Sequence, residues 1–165
     1  PRSGPRRPCV RAPAGLATGA GTQARARCVA QVVGPHFEWL ARAWAARDAS
    51  ERTLGGSARR VGFAQVHDRD LRQSFELDVV VEGEQTGARA TLIAIGEAKG
   101  GEAVRTMDDL RRLDRLRSLL VARADVSRTR LLLFGRSGFA PDVLNVAERR
   151  SDVELIDLKR LYEGD

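Results

Sequence analysis

Lysine is nearly absent from this chain: Lys99 and Lys159 stand against 26 arginines. Where any cation would do, the sequence uses Arg, so a lysine that persists is a candidate for a compact charge or for a pKa that burial can shift. Cysteine and histidine are equally scarce. Cys9 and Cys28 lie in the first thirty residues, and His36 and His67 stand apart from them and from each other. Nothing here has zinc spacing, and two cysteines make no disulfide framework. No run approaches the ~18 uninterrupted apolar residues of a membrane span, and the N-terminus shows no signal-peptide pattern. These absences lead us to expect a cytoplasmic chain without a membrane partner, trimmed from a longer protein since it opens without Met. No Gly-x-x-x-x-Gly-Lys-Ser/Thr occurs; Gly15 to Gly21 is glycine-rich but lacks the lysine, so P-loop nucleotide binding is not expected.

The net charge of +6 changes meaning once it is located. Residues 1–30 hold six arginines and no acid, while the remaining 135 residues hold 22 basic and 22 acidic side chains. Basicity belongs to the N-terminal segment, which can contact phosphate nonspecifically. Rich in Pro, Gly, Ala and Arg and without periodicity, residues 1–31 are expected to be a disordered or linker tail. Residues 32–165, with an apolar fraction suited to a core, form one domain.

Within that domain Gly34-Pro35 opens a helix, carried to about Asp48 by Phe37, Leu40, Ala41 and Trp44. A polar connection over 49–60 follows. Strands are expected at Val61–Val66, Phe75–Val81 and Thr91–Glu97, the last apolar on both faces and so central in a sheet. Val104, Met107, Leu110, Leu113, Leu116 and Leu120 recur at spacings of three and four, which predicts a helix over 102–123. A strand at Arg130–Phe134, a short helix from Pro141, a strand at Val153–Ile156 and a last helical turn complete an α/β mixed sheet.

Glu97 and Lys99, two apart in an extended segment, point to one face with Cα atoms about 7 Å apart. Pairing across the 83–89 loop puts Asp78 roughly opposite residue 95 and makes Glu97 its diagonal neighbour; a one-residue slip would part them. Two carboxylates can hold Mg2+, a hard cation that prefers oxygen, and a nearby lysine can stabilise developing charge. Alone, Glu-x-Lys is a weak pattern, and a strand-end ion pair is its plainer reading. Context adds weight, because charges embedded in doubly buried strands are costly unless paired or liganded. Glu76 shares a face with Asp78, and a solvated strand charge is its simpler role. Arg136 and Ser137 follow a strand where they can touch phosphate or merely form a loop. Trp39, Trp44 and Phe139 suit core or boundary positions, and His36 and His67 have no evident partners.

Five segments carry a resemblance: Gly34-Pro35-His36-Phe37-Glu38, Phe75-Glu76-Leu77-Asp78-Val79-Val80, Gly96-Glu97-Ala98-Lys99, Phe134-Gly135-Arg136-Ser137-Gly138-Phe139 and Leu155-Ile156-Asp157-Leu158. In this order they resemble the PD-(D/E)XK restriction-endonuclease-like superfamily. More narrowly, they resemble a domain-of-unknown-function family found C-terminal to archaeal and bacterial P-loop ATPases. The likeness spans about residues 32–162. It implies a restriction-endonuclease-like mixed sheet with helices on both faces, ordered α-β-β-β-α-β with a short helix and a final strand. It further implies Asp78 and Glu97 as ligands of Mg2+ (or Mn2+), Lys99 as catalytic lysine and Glu38 as auxiliary acid. The expected partners are DNA and a P-loop ATPase domain in cis or in trans. Ala98 departs from the Cys or Gln of several relatives. A silent nuclease-like module with a binding or regulatory role in an ATPase is the alternative.

Overall fold

The computed structural model describes residues 33–85 and 87–165; the tail expected over 1–31 lies outside them. The elements run α1 (Gly34–Arg47), α2 (Glu51–Leu54), β1 (Arg60–Asp68), β2 (Gln73–Glu82), β3 (Leu92–Lys99), α3 (Met107–Leu120), β4 (Arg130–Gly135), α4 (Pro141–Arg149), β5 (Val153–Ile156) and α5 (Leu158–Glu163). The five strands lie side by side in chain order. β1, β2 and β3 pair antiparallel; β4 and β5 continue parallel to β3. Parallel neighbours need a crossover, which α3 and α4 supply. This is the α/β, restriction-endonuclease-like topology that the segment order implies.

Helices cover both faces because the central strands are apolar on both. In β4, Leu131 and Leu133 face the α3 side, where they meet Leu110, Leu113 and Leu116. Leu132 and Phe134 face the other way, toward Phe37 and Trp44 of α1 and Leu161 of α5. Trp44 meets Phe134 edge-on at 5.7 Å between centroids, a geometry worth about 0.5–1.5 kcal/mol beyond area burial. Its indole N–H donates to the Arg160 carbonyl at 3.1 Å, tying α1 to α5.

Two boundaries differ from expectation. The polar connection contains α2, capped by Ser50, whose hydroxyl accepts from the Thr53 N–H at 3.2 Å. The long helix starts at Met107, not 102. Asp109 reaches back to accept the Thr106 N–H at 2.8 Å, an N-terminal box that sets where the helix begins. Before it, residues 101–103 bend and Arg105 bridges to Phe139, so Val104 is exposed and leaves the apolar stripe.

Candidate active site

The register of β2 on β3 runs Val79↔Gly96, Val80↔Ile95 and Val81↔Ala94. Continued by one step, it brings Asp78 beside Glu97 itself, two positions from the expected pairing with residue 95. The symmetric loop assumed from sequence is displaced by an irregularity between Val81 and Glu82. The shift is even, so the expected proximity survives it.

A second irregularity lies at Asp78. β1 pairs Gly62 with Val80 but Ala64 with Leu77, so Asp78 and Val79 together oppose Phe63. Such a bulge bends its strand and re-aims side chains. Leu77 and Val80 accordingly belong to the α3-side core, and Val79 and Val81 to the other. The Asp78 carboxylate turns toward β3 and accepts the Ala98 N–H at 2.7 Å. Arg42 of α1 fastens the bulge: it donates to the Asp78 carbonyl at 2.8 Å and lies over the Phe63 ring at 5.7 Å.

Burial pushes the Asp78 carboxyl above its ordinary range, and Glu76 adds to this, against the Ala98 N–H, Arg112 and Arg42. Glu38, one helical turn before Arg42, is raised by burial and by Asp78. Asp78 and Glu76 thus both act on Glu38 through their charge. Arg136 and Ser137 instead donate to the carbonyls of Gly100 and Gly101 at 3.2 and 3.1 Å, pinning the turn after Lys99.

Glu97 is buried and faces α3. Arg112 grips its carboxylate through Nε and NH2. Lys99 Nζ stands 3.5 Å and Arg105 3.6 Å from the same carboxylate. Lys99, half exposed, donates to Asp109 at 2.7 Å. Burial alone would raise the Asp109 carboxyl, but the Lys99 and Thr106 hydrogen bonds and Arg105 outweigh it and leave it below its ordinary value.

Arg105 is fully buried, with no guanidinium nitrogen hydrogen-bonded among the described residues. It balances Glu97 and Asp109 by charge alone, the Asp109 contact being 3.4 Å. Arg105, Arg112 and Asp109 were missed in the sequence. The Thr106-x-x-Asp109 box was a readable clue to Asp109, whereas two arginines among 26 carried none.

Among the described residues no group of three or more His, Cys, Asp or Glu side chains is placed to hold a metal ion. The pair Asp78 and Glu97 does fit a hard divalent cation in donor type, and Asp78 keeps one carboxylate oxygen without a protein donor among the described residues. The cationic position beside that pair belongs to the Arg112 guanidinium, which bonds Glu97 and feels Asp78. Formal charges already balance: Asp78, Glu97 and Asp109 against Lys99, Arg105 and Arg112. A divalent ion held by Glu97 would compete with Arg112, whose side chain is partly exposed.

No protein-family model, curated protein or solved structure matches this chain. The likeness to the restriction-endonuclease-like fold thus stands on topology alone. No described helix is long and apolar enough to cross a membrane.

Proposed function

We propose that this domain hydrolyses phosphodiester bonds in DNA with Mg2+ (or Mn2+) as cofactor. The carrying observation is that the β2–β3 register, continued by one step, sets Asp78 opposite Glu97, with Lys99 two residues further along β3. In this reading Asp78 and Glu97 hold the ion, which supplies Lewis acidity and lowers the pKa of water. The Lys99 ammonium, steadied by Asp109 at 2.7 Å, stabilises charge developing on the phosphate. Glu38, its carboxyl raised by burial and by Asp78, serves as an auxiliary proton holder. Arg42 positions the bulge from which Asp78 projects. A P-loop ATPase, in cis or in trans, is proposed as partner on the resemblance alone.

A second reading has its own observation. Glu97 is fully engaged by Arg112, and the six charges balance without an ion, which suits a silent module that binds or regulates an ATPase.

Cleavage of single-stranded, duplex and branched DNA with Mg2+ or Mn2+ separates the two. The hydrolase reading expects cleavage that EDTA abolishes and that Asp78→Ala and Lys99→Ala reduce at least a hundredfold. It also expects Arg112→Gln to lower the Mg2+ concentration needed for half-maximal rate. A folded wild type that cleaves none of these substrates supports the silent module.

A further inference from the structure

Of the eight Phe, Trp and Tyr side chains, only Trp39, Phe63 and Tyr162 are exposed. Phe63, 65% exposed, lies opposite the Asp78 bulge, and Trp39, 53% exposed, stands three residues before Arg42 on α1; neither ring is isolated. His36 stacks on Trp39 at 5.9 Å with 20° between planes. Arg42 covers Phe63 at 5.7 Å and donates to the Asp78 carbonyl. His36, Trp39 and Arg42 follow at spacings of three along α1, so they are neighbours on successive turns. Phe63 extends the row onto β1, directly opposite Asp78 and Val79. Exposed aliphatic side chains (Leu71, Val104, Val121, Leu144) lie on other segments. What borders Asp78 is thus a row of flat π and cationic groups, beside the carboxylates of Glu38 and Glu76. Every base offers a π face to such a row, whereas a duplex keeps its faces stacked internally.

We propose that His36, Trp39, Arg42 and Phe63 form a stacking platform for unpaired bases, which makes single-stranded DNA the form of substrate led to Asp78. The location beside the acids takes its meaning from the hydrolase reading, while the platform is measurable without it.

Trp39 is its own reporter, because the other tryptophan, Trp44, is 1% exposed. The full chain, in EDTA, is titrated with a short oligothymidylate, and affinities of variants are read by anisotropy of the labelled oligonucleotide. We expect the strand to quench Trp39 emission, and Trp39→Ala and Phe63→Ala each to weaken binding about tenfold. Tyr162→Ala, remote on α5, should bind as the wild type does. The arginine-rich N-terminal segment is common to all variants, so their ratio isolates the rings. Wild-type affinity in both ring variants overturns the proposal, as does a blunt duplex that binds as tightly as the single strand. Trp39 emission that changes with protein concentration alone, marking self-association through this face, also overturns it. No turnover enters the measurement, so failure of the platform leaves the cleavage result intact, and an inactive enzyme leaves the platform intact.

Discussion

At the scale of single residues, Asp78 and Asp109 are opposite cases of a carboxylate near the same arginines. Burial raises Asp78, and the Ala98 N–H, its one hydrogen-bond donor among the described residues, with the more weakly acting Arg112 and Arg42 does not outweigh it. Asp109 is buried too but accepts from both Lys99 and the Thr106 N–H. A group whose pKa is raised on folding costs stability once pH exceeds its unfolded value, and the full cost is present above its folded value. A group whose pKa is lowered contributes stability above its unfolded value and loses it as pH falls through the folded one. Asp78→Asn should therefore raise urea-denaturation stability at pH 7, with the gain vanishing in acid. Asp109→Asn should lower it by about 1–2 kcal/mol, because the amide has a single acceptor oxygen and keeps the Thr106 N–H or the Lys99 ammonium but not both. A destabilising Asp78 would identify that carboxylate as one retained for function at the expense of the fold; a stabilising one would count against both its burial cost and its proposed role. The acids and Lys99 were visible in the sequence because charges are conspicuous among Leu, Val and Ile. Arg112 and Arg105 were not, since their roles follow from which turn of α3 faces β3 and from the bridge that Arg105 makes to Phe139 ahead of that helix.

At the scale of elements, α1 reaches the site only because Gly100 lets it approach the end of β3. A Cβ there would lie 2.8 Å from the Phe37 Cβ and 3.0 Å from the Val33 carbonyl oxygen. Gly100→Ala should cost about 1–3 kcal/mol by overpacking and should reduce cleavage by displacing Glu38 and Arg42, though it touches neither acid. Unchanged stability in chemical denaturation would mean that α1 is free to shift. The strands were read to within a few residues because their apolar runs are dense. The start of α3 was misread since Val104 continues the numerical spacing of the stripe, whereas the Thr106–Asp109 box, a local hydrogen-bond device, decides where helix begins. The bulge at Asp78 left no mark in the sequence: only the pairing of β1 with β2 exposes two residues opposite one.

At the scale of the molecule, charge is divided between a basic N-terminal segment and a balanced remainder. Phosphate contacts release counterions, so each contributes roughly 0.7 to the salt slope on single strands. Removing residues 1–30, with their six arginines, should flatten the slope of log K against log salt by about 4. Binding through the rings should persist. A slope that does not change would show that those arginines make no contact with phosphate.

The sequence by itself determined the α/β class, the order of helices and strands, the two-sided burial of β3 and the candidacy of Asp78, Glu97, Lys99 and Glu38. Those features follow from local periodicity and from the rarity of charge in apolar runs, which need no knowledge of distant partners. Tertiary structure decided that the β2–β3 register sets Asp78 opposite Glu97. It likewise decided that Arg112 bonds Glu97 while Asp78 acts on it by charge, and that Phe63 lies opposite the Asp78 bulge. Each of these depends on strand register and on which helix face packs inward, and contacts between residues far apart in the chain set both.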